Sequence, residues 1–279
     1  MTLVPVTWDG YDLSTMDDRT GSARVVESVE GWYGTPEPET GDINMVLSDG
    51  ALLGFKTLRA REITITGKVV GPRSALIAVR DALARRAVDR ELSTLTIGDP
   101  WLSQTFTADV RGSSPLEHEF IGSTAFRYQV VLTAPDPRRY ATGWQSVTIM
   151  LTNVGGTAGR TYPRTYPWSY GSGVVPGEGA LSNAGNAPAP VYATYTGPLS
   201  ETRLTDGTSM VRLAPLLAGE TIEVETHTLS ATAPGGVGRG AFILAGSSPL
   251  WLPPASSVTW QLLGTGLGQV ELTWRSAWI

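Results

Sequence analysis

Alternating apolar and polar positions dominate the chain and predict a protein built mainly from short β-strands. In REITITGKVV, residues 61–70, Ile63 and Ile65 alternate with polar residues, and Gly71-Pro72 ends the run. The segments QTFTADVRG and TAFRYQVVLTAPDP, further along the chain, repeat the same two-residue period. These three segments are therefore predicted to be strands of an antiparallel sheet.

One segment has the period of a helix instead. In PRSALIAVRDALARRAV, residues 72–88, apolar side chains recur every three or four residues and arginines occupy much of the remaining surface. The apolar set consists of Leu76, Val79, Ala82, Leu83 and Val88. Because this amphipathic helix is followed by a pair of strands, the first part of the chain is predicted to be an α+β unit with the helix packed on the sheet.

The second part of the chain shows strand-like runs separated by Gly, Pro, Asn and Ser, and their regular spacing predicts an antiparallel β-sandwich. Within LSNAGNAPAPVYATYTGP, residues 181–198, we expect Asn183 to Pro190 to form a turn and Val191 to Thr196 to form a strand. Prolines directly before a strand do not interrupt its hydrogen bonds. Residues 161–173, TYPRTYPWSYGSG, are predicted to be an aromatic, proline-rich loop.

The distribution of charge divides the chain near Tyr140. Residues 1–140 contain 34 of the 47 Asp, Glu, Lys and Arg residues, although they are only half of the sequence. We therefore predict two domains, residues 1–140 and residues 141–279, with surfaces of different character.

Composition argues against several functional classes. The net charge of -5 and the lack of a long basic run disfavour nucleic-acid recognition. The chain has no cysteine, so disulfides and thiolate metal sites are excluded. The N-terminal residues lack the basic and apolar regions of a secretory signal, and the apolar runs are too short to cross a bilayer. Synthesis in the cytoplasm is the resulting expectation.

Candidate catalytic and metal-binding residues are few. His118 and His227 lack the spacing of metal ligands, which favours surface positions for both. Glu223 and Glu225 share one face of a predicted strand; a solvated strand face is the favoured interpretation and a general acid–base pair is the alternative. Glu117 and Glu119 allow the same two interpretations.

The glycine-rich segment GGVGRG, residues 235–240, resembles a phosphate-binding loop in its glycines alone. It neither follows a buried strand nor begins a helix, so a hairpin tip is predicted instead. The sequence thus predicts no enzyme, no cofactor and no metal site.

Four tryptophans in the second part allow a binding function. Trp251, Trp260, Trp274 and Trp278 lie in strand-like or turn segments, where core packing is the favoured interpretation. Stacking on sugar rings is the alternative, and Trp251 and Trp260 are the candidate glycan contacts.

The order of segments resembles the distal tail (Dit) proteins of long, non-contractile-tailed phages. REITITGKVVG, the helix SALIAVRDALARR and the strands ending in APDPRRY are similar to the N-terminal hub domain of that family. LLAGETIEVETHTLSA and WLPPASSVTWQLLG, together with LSNAGNAPAPVYATYTGP, resemble the galectin-like β-sandwich that follows the hub. The resemblance implies a mainly β fold, an α+β hub domain followed by a galectin-like sandwich.

The family resemblance also implies a function. Distal tail proteins form an oligomeric ring, usually a hexamer, that joins the tail tube to the tail-tip hub, and their outer domain can carry receptor-binding proteins or touch host glycans. We expect the same for this chain: a structural virion protein at the tail tip, assembled in the host cytoplasm. Residues 16–42 are the expected place of a hairpin arm that reaches the neighbouring subunit.

Two other functions stay open at this point. One is a carbohydrate-binding adhesin or receptor-binding tail component that acts through the second domain. The other is a hydrolase of cell-wall polymer that uses Glu223 or Glu225.

Overall fold

The computed structural model describes residues 4–17, 21–44, 49, 51–101, 103–154, 173–175 and 177–279. The chain forms two compact units, one of residues 1–142 with Ile279 and one of residues 143–278. Among the described residues the fold is mainly β, as the fold class predicted: the first unit has one main sheet, two two-stranded ladders and an α-helix, and the second has a sandwich of two main sheets and one two-stranded ladder. Of the predicted loop at residues 161–173, only Gly173 lies within the described residues.

Antiparallel pairing organises the first unit. Its strands are β1 (Val6–Trp8), β2 (Tyr11–Asp12), β3 (Met16–Asp17), β4 (Ser22–Glu30), β5 (Pro38–Thr40), β6 (Ile43–Asn44), β7 (Ala51–Leu52), β8 (Lys56–Leu58), β9 (Arg61–Val70), β10 (Ser93–Asp99), β11 (Gln104–Gly112), β12 (Glu117–Ile121), β13 (Ala125–Ala134) and β14 (Arg139–Ala141). The main sheet has the order β2-β1-β10-β11-β13-β9-β4-β3, and β12 pairs with β13. The three strands predicted from the two-residue period, β9, β11 and β13, are neighbours in this sheet.

The predicted helix is present as α1 (Arg73–Ala87), and it packs on β9, β11 and β13. Leu76, Val79 and Leu83 are buried in this contact, as predicted. Val88 was assigned to the same face, and that assignment is wrong: the helix ends at Ala87, which is buried, and Val88 is exposed. Beyond the last residue of a helix, helical spacing no longer predicts which side chains face the core.

A glycine lies opposite a tyrosine in the centre of the sheet. Gly67 of β9 pairs with Tyr128 of β13, and a Cβ at Gly67 would lie 2.5 Å from the Tyr128 ring. The Tyr128 side chain is buried, so it covers the backbone that glycine leaves open. Burial also raises the pKa of Tyr128 above its usual range.

Of the strands in residues 16–42, the expected place of the hairpin arm, β3 and β4 belong to the main sheet and β5 does not. In residues 16–42, β4 is a full strand of the main sheet and pairs along β9, with Ser22 and Arg24 buried. A two-stranded extension begins with β5 and continues beyond residue 42: β5 pairs with β8, and β6 pairs with β7. Two side chains next to β8 are strongly exposed, Leu53 at 86% and Phe55 at 94%.

The second unit is a β-sandwich. Its strands are β15 (Gln145–Met150), β16 (Thr152–Val154), β17 (Gly173–Val175), β18 (Gly177–Asn183), β19 (Ala189–Thr196), β20 (Leu199–Thr205), β21 (Met210–Arg212), β22 (Thr221–Glu225), β23 (Ser230–Ala233), β24 (Val237–Gly238), β25 (Trp251–Leu252), β26 (Ser256–Gly266), β27 (Gln269–Trp274) and β28 (Ala277–Trp278). One sheet has the order β15-β27-β19-β22-β23-β24, with β25 on β19, and the other has the order β18-β26-β20-β21. Alternate side chains of both sheets, such as Val191, Tyr195 and Trp260, are fully buried between them.

Residues 181–198 are part of the sandwich, and the turn within them is shorter than predicted. Strand β18 includes Asn183 and strand β19 begins at Ala189, so residues 184–188 carry the chain from one sheet to the other. Pro190 lies inside β19, opposite Trp251 of the short strand β25. A strand can contain proline at a position whose backbone nitrogen is not required to donate a hydrogen bond to the neighbouring strand.

Asn183 closes this crossing with its buried side-chain amide. Its Nδ2 donates to the carbonyl oxygens of Ala187 at 2.8 Å and Pro253 at 3.1 Å, and lies 3.4 Å from that of Leu252. Its Oδ1 accepts from the backbone N–H of Gly185 at 2.9 Å and of Ala277 at 3.2 Å. One side chain therefore satisfies backbone groups from three separate segments.

Candidate functional site

The outer face of the larger sheet in the second unit carries polar and aromatic side chains. Tyr192 of β19 pairs with Glu225 of β22 on one side and with Thr273 of β27 on the other. Because strand residues alternate between faces, Thr194 and Glu223 share this face with them, while their neighbours point into the core. The face is thus built from three adjacent strands whose inner sides are buried.

Four aromatic side chains form a row across one end of this sheet, here called the aromatic row: Trp144, Tyr192, His227 and Trp251. The centroids of successive rings are 5.9, 6.0 and 4.9 Å apart, and the rings are tilted or edge-on to one another. The guanidinium of Arg275 lies 4.6 Å from the centroid of the Trp144 ring. Trp144 is 57% exposed, and the other three are partly exposed.

A buried threonine fixes the backbone beside three members of the row. The hydroxyl of Thr226 lies 2.9 Å from the carbonyl oxygens of both Val191 and Leu250. These three residues directly precede His227, Tyr192 and Trp251 in the chain. Since Thr226 is fully buried, its contacts fix the backbone from which three of the aromatic side chains project.

A shallow recess of about 230 Å³ adjoins the aromatic row at Tyr192. Two carboxylates and three threonines contribute to its lining, which consists of Tyr192, Ala193, Thr194, Glu223, Val224, Glu225, Thr232 and Thr273. The carboxylate of Glu225 accepts a hydrogen bond of 2.8 Å from the hydroxyl of Thr228. Among the described residues that line the recess none is basic, and the polar ones supply hydroxyls and acids.

The structure separates the two tryptophans predicted as glycan contacts. Trp251 belongs to the aromatic row and is partly exposed. Trp260 is fully buried between the two sheets, so its ring has no face open to a sugar; in this structure it is a core residue. Trp274 is also buried, with its indole N–H donating to the carbonyl of Ser182 at 2.7 Å. Strand periodicity did not distinguish these positions, because all of them lie in or beside strands.

The remaining sequence candidates do not assemble into a catalytic centre. Glu117, His118 and Glu119 are exposed on β12, in the first unit. His227 lies in the aromatic row, and Glu223 and Glu225 lie on the open sheet face. Within the described part of the chain, no group of three or more His, Cys, Asp and Glu residues is placed to hold a metal ion.

The glycine-rich segment at residues 235–240 is the predicted hairpin tip. Gly235 and Gly236, with positive φ angles of 93° and 81°, lie in the turn between β23 and β24, and the segment continues through β24. The backbone N–H of Gly236 donates to the carbonyl of Ala233 at 3.0 Å, which closes the turn. Among the described residues, no helix is long and apolar enough to cross a membrane.

Buried arginines in the first unit have structural partners. Arg61 donates to the carbonyl oxygens of Gly31, Trp32 and Gly34 at 2.6–3.0 Å and to that of Pro137 at 2.9 Å. Burial lowers the pKa of Arg61 to about 10, which leaves it charged at neutral pH. The guanidinium thus ties the loop after β4 to the segment after β13, without an acid beside it.

The helix on an antiparallel sheet and the β-sandwich that follows it have the fold of a solved phage distal tail protein, so the predicted resemblance is confirmed at the level of the fold. The structure of the SPP1 Dit protein, described as a paradigm of the hub adsorption apparatus in phages that infect Gram-positive bacteria, is similar over 100% of both chains, with a TM-score of 0.65 and 15% identity. The baseplate of phage P2 in its activated conformation with Ca matches over 90% of both chains, with a TM-score of 0.49 and 9% identity. At the level of sequence, no protein-family model and no curated protein matches.

Proposed function

We propose that this protein is a structural component of a phage tail tip, which forms an oligomeric ring through its first unit and joins the tail tube to the tail-tip hub. The observation that carries the proposal is the shared fold over the full length of SPP1 Dit, a protein described as part of a hub adsorption apparatus. In this proposal the ring contains six copies, lies in the virion and assembles in the host cytoplasm. Its role is structural and requires no catalytic site.

The extension formed by β5 to β8 supports self-association. Leu53 and Phe55 lie beside this narrow two-stranded ladder and expose nearly their whole side chains. Burying one such side chain in an interface contributes about 1.5–3 kcal/mol. In a closed oligomer this contribution repeats at every contact between neighbouring copies. We therefore assign the extension, which begins with β5 inside residues 16–42, to the contact with the adjacent subunit.

The remaining partners follow from the same proposal. One side of the ring would bind the tail-tube protein and the other the tail-tip hub protein. The second unit would face outward and be accessible to receptor-binding proteins or host glycans.

The test measures the mass of the purified full-length protein by light scattering and negative-stain imaging, alone and with purified tail-tube protein. We expect closed rings from the wild type, and a shift toward monomer in Phe55→Asp with an unchanged melting temperature. Leu217→Asp is the matched control, because Leu217 is an exposed leucine of the second unit, 75% accessible, and lies outside the extension. A wild type that stays monomeric at high concentration and also fails to bind tail-tube protein would refute the proposal.

A further inference from the structure

We propose that a groove between α1 and β12 in the first unit binds an extended segment of a partner protein that carries acidic and apolar side chains on the same face. The groove has a volume of about 320 Å³, and we call it the arginine groove. Its lining consists of Arg73, Ile77 and Arg80 from α1, Phe120 from β12, and Gly122 and Ser123 from the turn that follows. All of these residues belong to one unit of one chain, so the inference goes beyond the proposed function and does not depend on ring formation.

Helix and strand geometry bring the lining residues together. Arg73, Ile77 and Arg80 are spaced four and three residues apart, so they form one row along the surface of α1. Opposite this row, the ring of Phe120 packs against the buried ring of Phe126 on β13, with the two centroids 5.7 Å apart. The walls of the groove are therefore set by regular elements, which hold their side chains in defined positions.

The groove is positively charged in a protein that is acidic as a whole. The net charge of the chain is -5, yet the lining contains two arginines and no acid. The Oδ1 of Asp81 accepts from Nε of Arg80 at 3.0 Å and from its Nη2 at 2.7 Å, so Arg80 has one partner already. Arg73 is exposed and forms no hydrogen bond or ion pair within the part of the chain that the structure describes. Its guanidinium can therefore bind a carboxylate through two parallel hydrogen bonds.

The acids of β12 do not cancel this charge. Because side chains of a strand alternate between its faces, Glu117 and Glu119 point to the face opposite Phe120. Glu119 is paired across the strands with Arg127, whose Nε lies 3.5 Å from the carboxylate of Glu27. The negative charges of this region thus lie on the other face of the strand pair, and a carboxylate in the groove meets arginines without a competing acid.

Two partly exposed apolar side chains define the second property of the ligand. Ile77 is 37% exposed and Phe120 is 43% exposed, and both line the groove. Covering them favours a ligand with an aliphatic or aromatic group, because burial of apolar surface is favourable. A simple inorganic anion would leave both side chains in water. The groove therefore fits a ligand that carries an apolar group between its carboxylates.

The edge of the sheet beside the groove favours an extended protein segment over a small molecule. Among the described strands, β12 pairs with β13 alone, so the backbone N–H and C=O groups of its outer edge are free to pair with a further strand. Every second side chain of such a strand faces the groove. Arg73 and Arg80 are separated by about 10 Å along the helix axis, and acids four residues apart on a strand are about 13 Å apart. An acid, an apolar residue and a second acid at alternate positions therefore match the lining.

The test is fluorescence anisotropy of a labelled peptide, Ser-Asp-Thr-Phe-Thr-Asp-Ser, titrated with the full-length protein. One control peptide has Asn in place of both Asp residues, and the other has Ser in place of Phe. We expect the first peptide to bind about 10-fold more tightly than either control, since each control removes one of the two complementary properties. Its affinity should fall as salt rises from about 10 mM to about 150 mM, because salt screens exposed charges.

Four variants, compared at about 150 mM salt, locate the binding site. Arg73→Glu should weaken binding about 10-fold, since it replaces attraction by repulsion. Ile77→Ser removes an apolar wall and should weaken it about 3- to 5-fold. Asp81→Asn releases Arg80 and should strengthen binding about 2- to 5-fold, as the loss of an exposed ion pair allows. Arg85→Glu is the matched control: it makes the same charge change at an exposed position of α1 outside the lining, about 18 Å from Arg73 along the axis, and should leave binding unchanged.

Three results overturn the inference. One is equal affinity for the three peptides, or no measurable binding of the acidic peptide at about 1 mM protein. Another is an equal loss of binding in Arg73→Glu and Arg85→Glu, which would mean that only the overall charge of the protein matters. The third is a fall in the mass of the protein in light scattering of Arg73→Glu, which would assign the groove to a contact between copies of this chain.

Discussion

Replacing Asn183 by alanine should destabilise the second unit more than its small size suggests. The side chain is buried where the chain crosses between the sheets, and it donates to the carbonyl oxygens of Ala187 and Pro253 and accepts from the N–H groups of Gly185 and Ala277. Alanine removes all four hydrogen bonds at once. It also leaves buried backbone groups without partners, because water cannot reach them without opening the crossing.

The magnitude follows from the count of these bonds. A hydrogen bond within a protein contributes about 1 kcal/mol net, so the four short contacts of Asn183 together account for about 4 kcal/mol. The free energy of unfolding of a domain is about 5–15 kcal/mol, so the loss is a large fraction of it. At about 4 °C per kcal/mol for a domain of this size, the melting temperature should fall by about 15 °C.

The measurement is calorimetric unfolding of the full chain, together with hydrogen exchange read by mass spectrometry on peptides from β18 and β19. Exchange should rise in these two strands of the second unit while β9 and β13 of the first unit stay protected. Asn186→Ala is the matched control, since Asn186 is exposed on the same crossing; it should cost less than about 1 kcal/mol. Asn183→Asp should be at least as damaging as alanine, because its carboxylate would face carbonyl oxygens. A loss below about 1 kcal/mol in Asn183→Ala would show that the amide does not hold the crossing.

Two further substitutions test the cores of the two units. Tyr195 is fully buried in the sandwich, its hydroxyl has no hydrogen-bond partner among the described residues, and burial raises its pKa. The unfolded chain therefore loses the hydroxyl proton near pH 10, whereas the folded chain keeps it. The contribution of this group to stability is complete below pH 10, and the free energy of unfolding falls by about 1.4 kcal/mol per pH unit above it. Tyr195→Phe should remove that alkaline loss and raise stability at pH 7 by about 1 kcal/mol in urea unfolding, and parallel pH curves for the two proteins would contradict this account. In the first unit, Gly67→Ala places a Cβ 2.5 Å from the buried Tyr128 ring and should cost about 1–3 kcal/mol by the same measurement. Gly34→Ala, where a Cβ meets nothing within 4 Å, is its control, and equal effects of the two substitutions would mean that the Tyr128 contact is not tight.

Most of the fold prediction from sequence depended on the periodicity of hydrophobic positions. Strand β9 and helix α1 each bury one face, and the burial follows the spacing of Ile63 and Ile65 in the strand and of Leu76, Val79 and Leu83 in the helix. Such elements are predictable because one face must avoid water along their whole length. The prediction was wrong at the ends of two elements, at Val88 after the helix and at the turn after Asn183. Hydrogen bonds, and not periodicity, determine the last residue of an element.

The hairpin extension and the aromatic row could not be located by the same means. Strand β4 has a weak apolar pattern, and its place in the sheet depends on pairing with β9, about forty residues later in the chain. The members of the aromatic row come from four separate segments; Trp251 was a candidate glycan contact from sequence, and His227 was considered only as a metal ligand. Local sequence contains no signal for contacts between distant segments, so only the topology brings Trp144 next to Tyr192.

The buried polar residues of the second unit connect its stability to the geometry of the aromatic row. Strand β25 has only two residues, Trp251 and Leu252, which by length alone gives it little rigidity. Thr226 contacts the carbonyl of Leu250 just before this strand, and Asn183 contacts the carbonyls of residues 252 and 253 within and just after it. Two buried side chains thus hold the backbone on both sides of Trp251. A packed apolar core could stabilise the sandwich equally well, but it would not fix the direction of the partly exposed Trp251 indole. Hydrogen bonds to defined carbonyl groups do fix it, because they are directional.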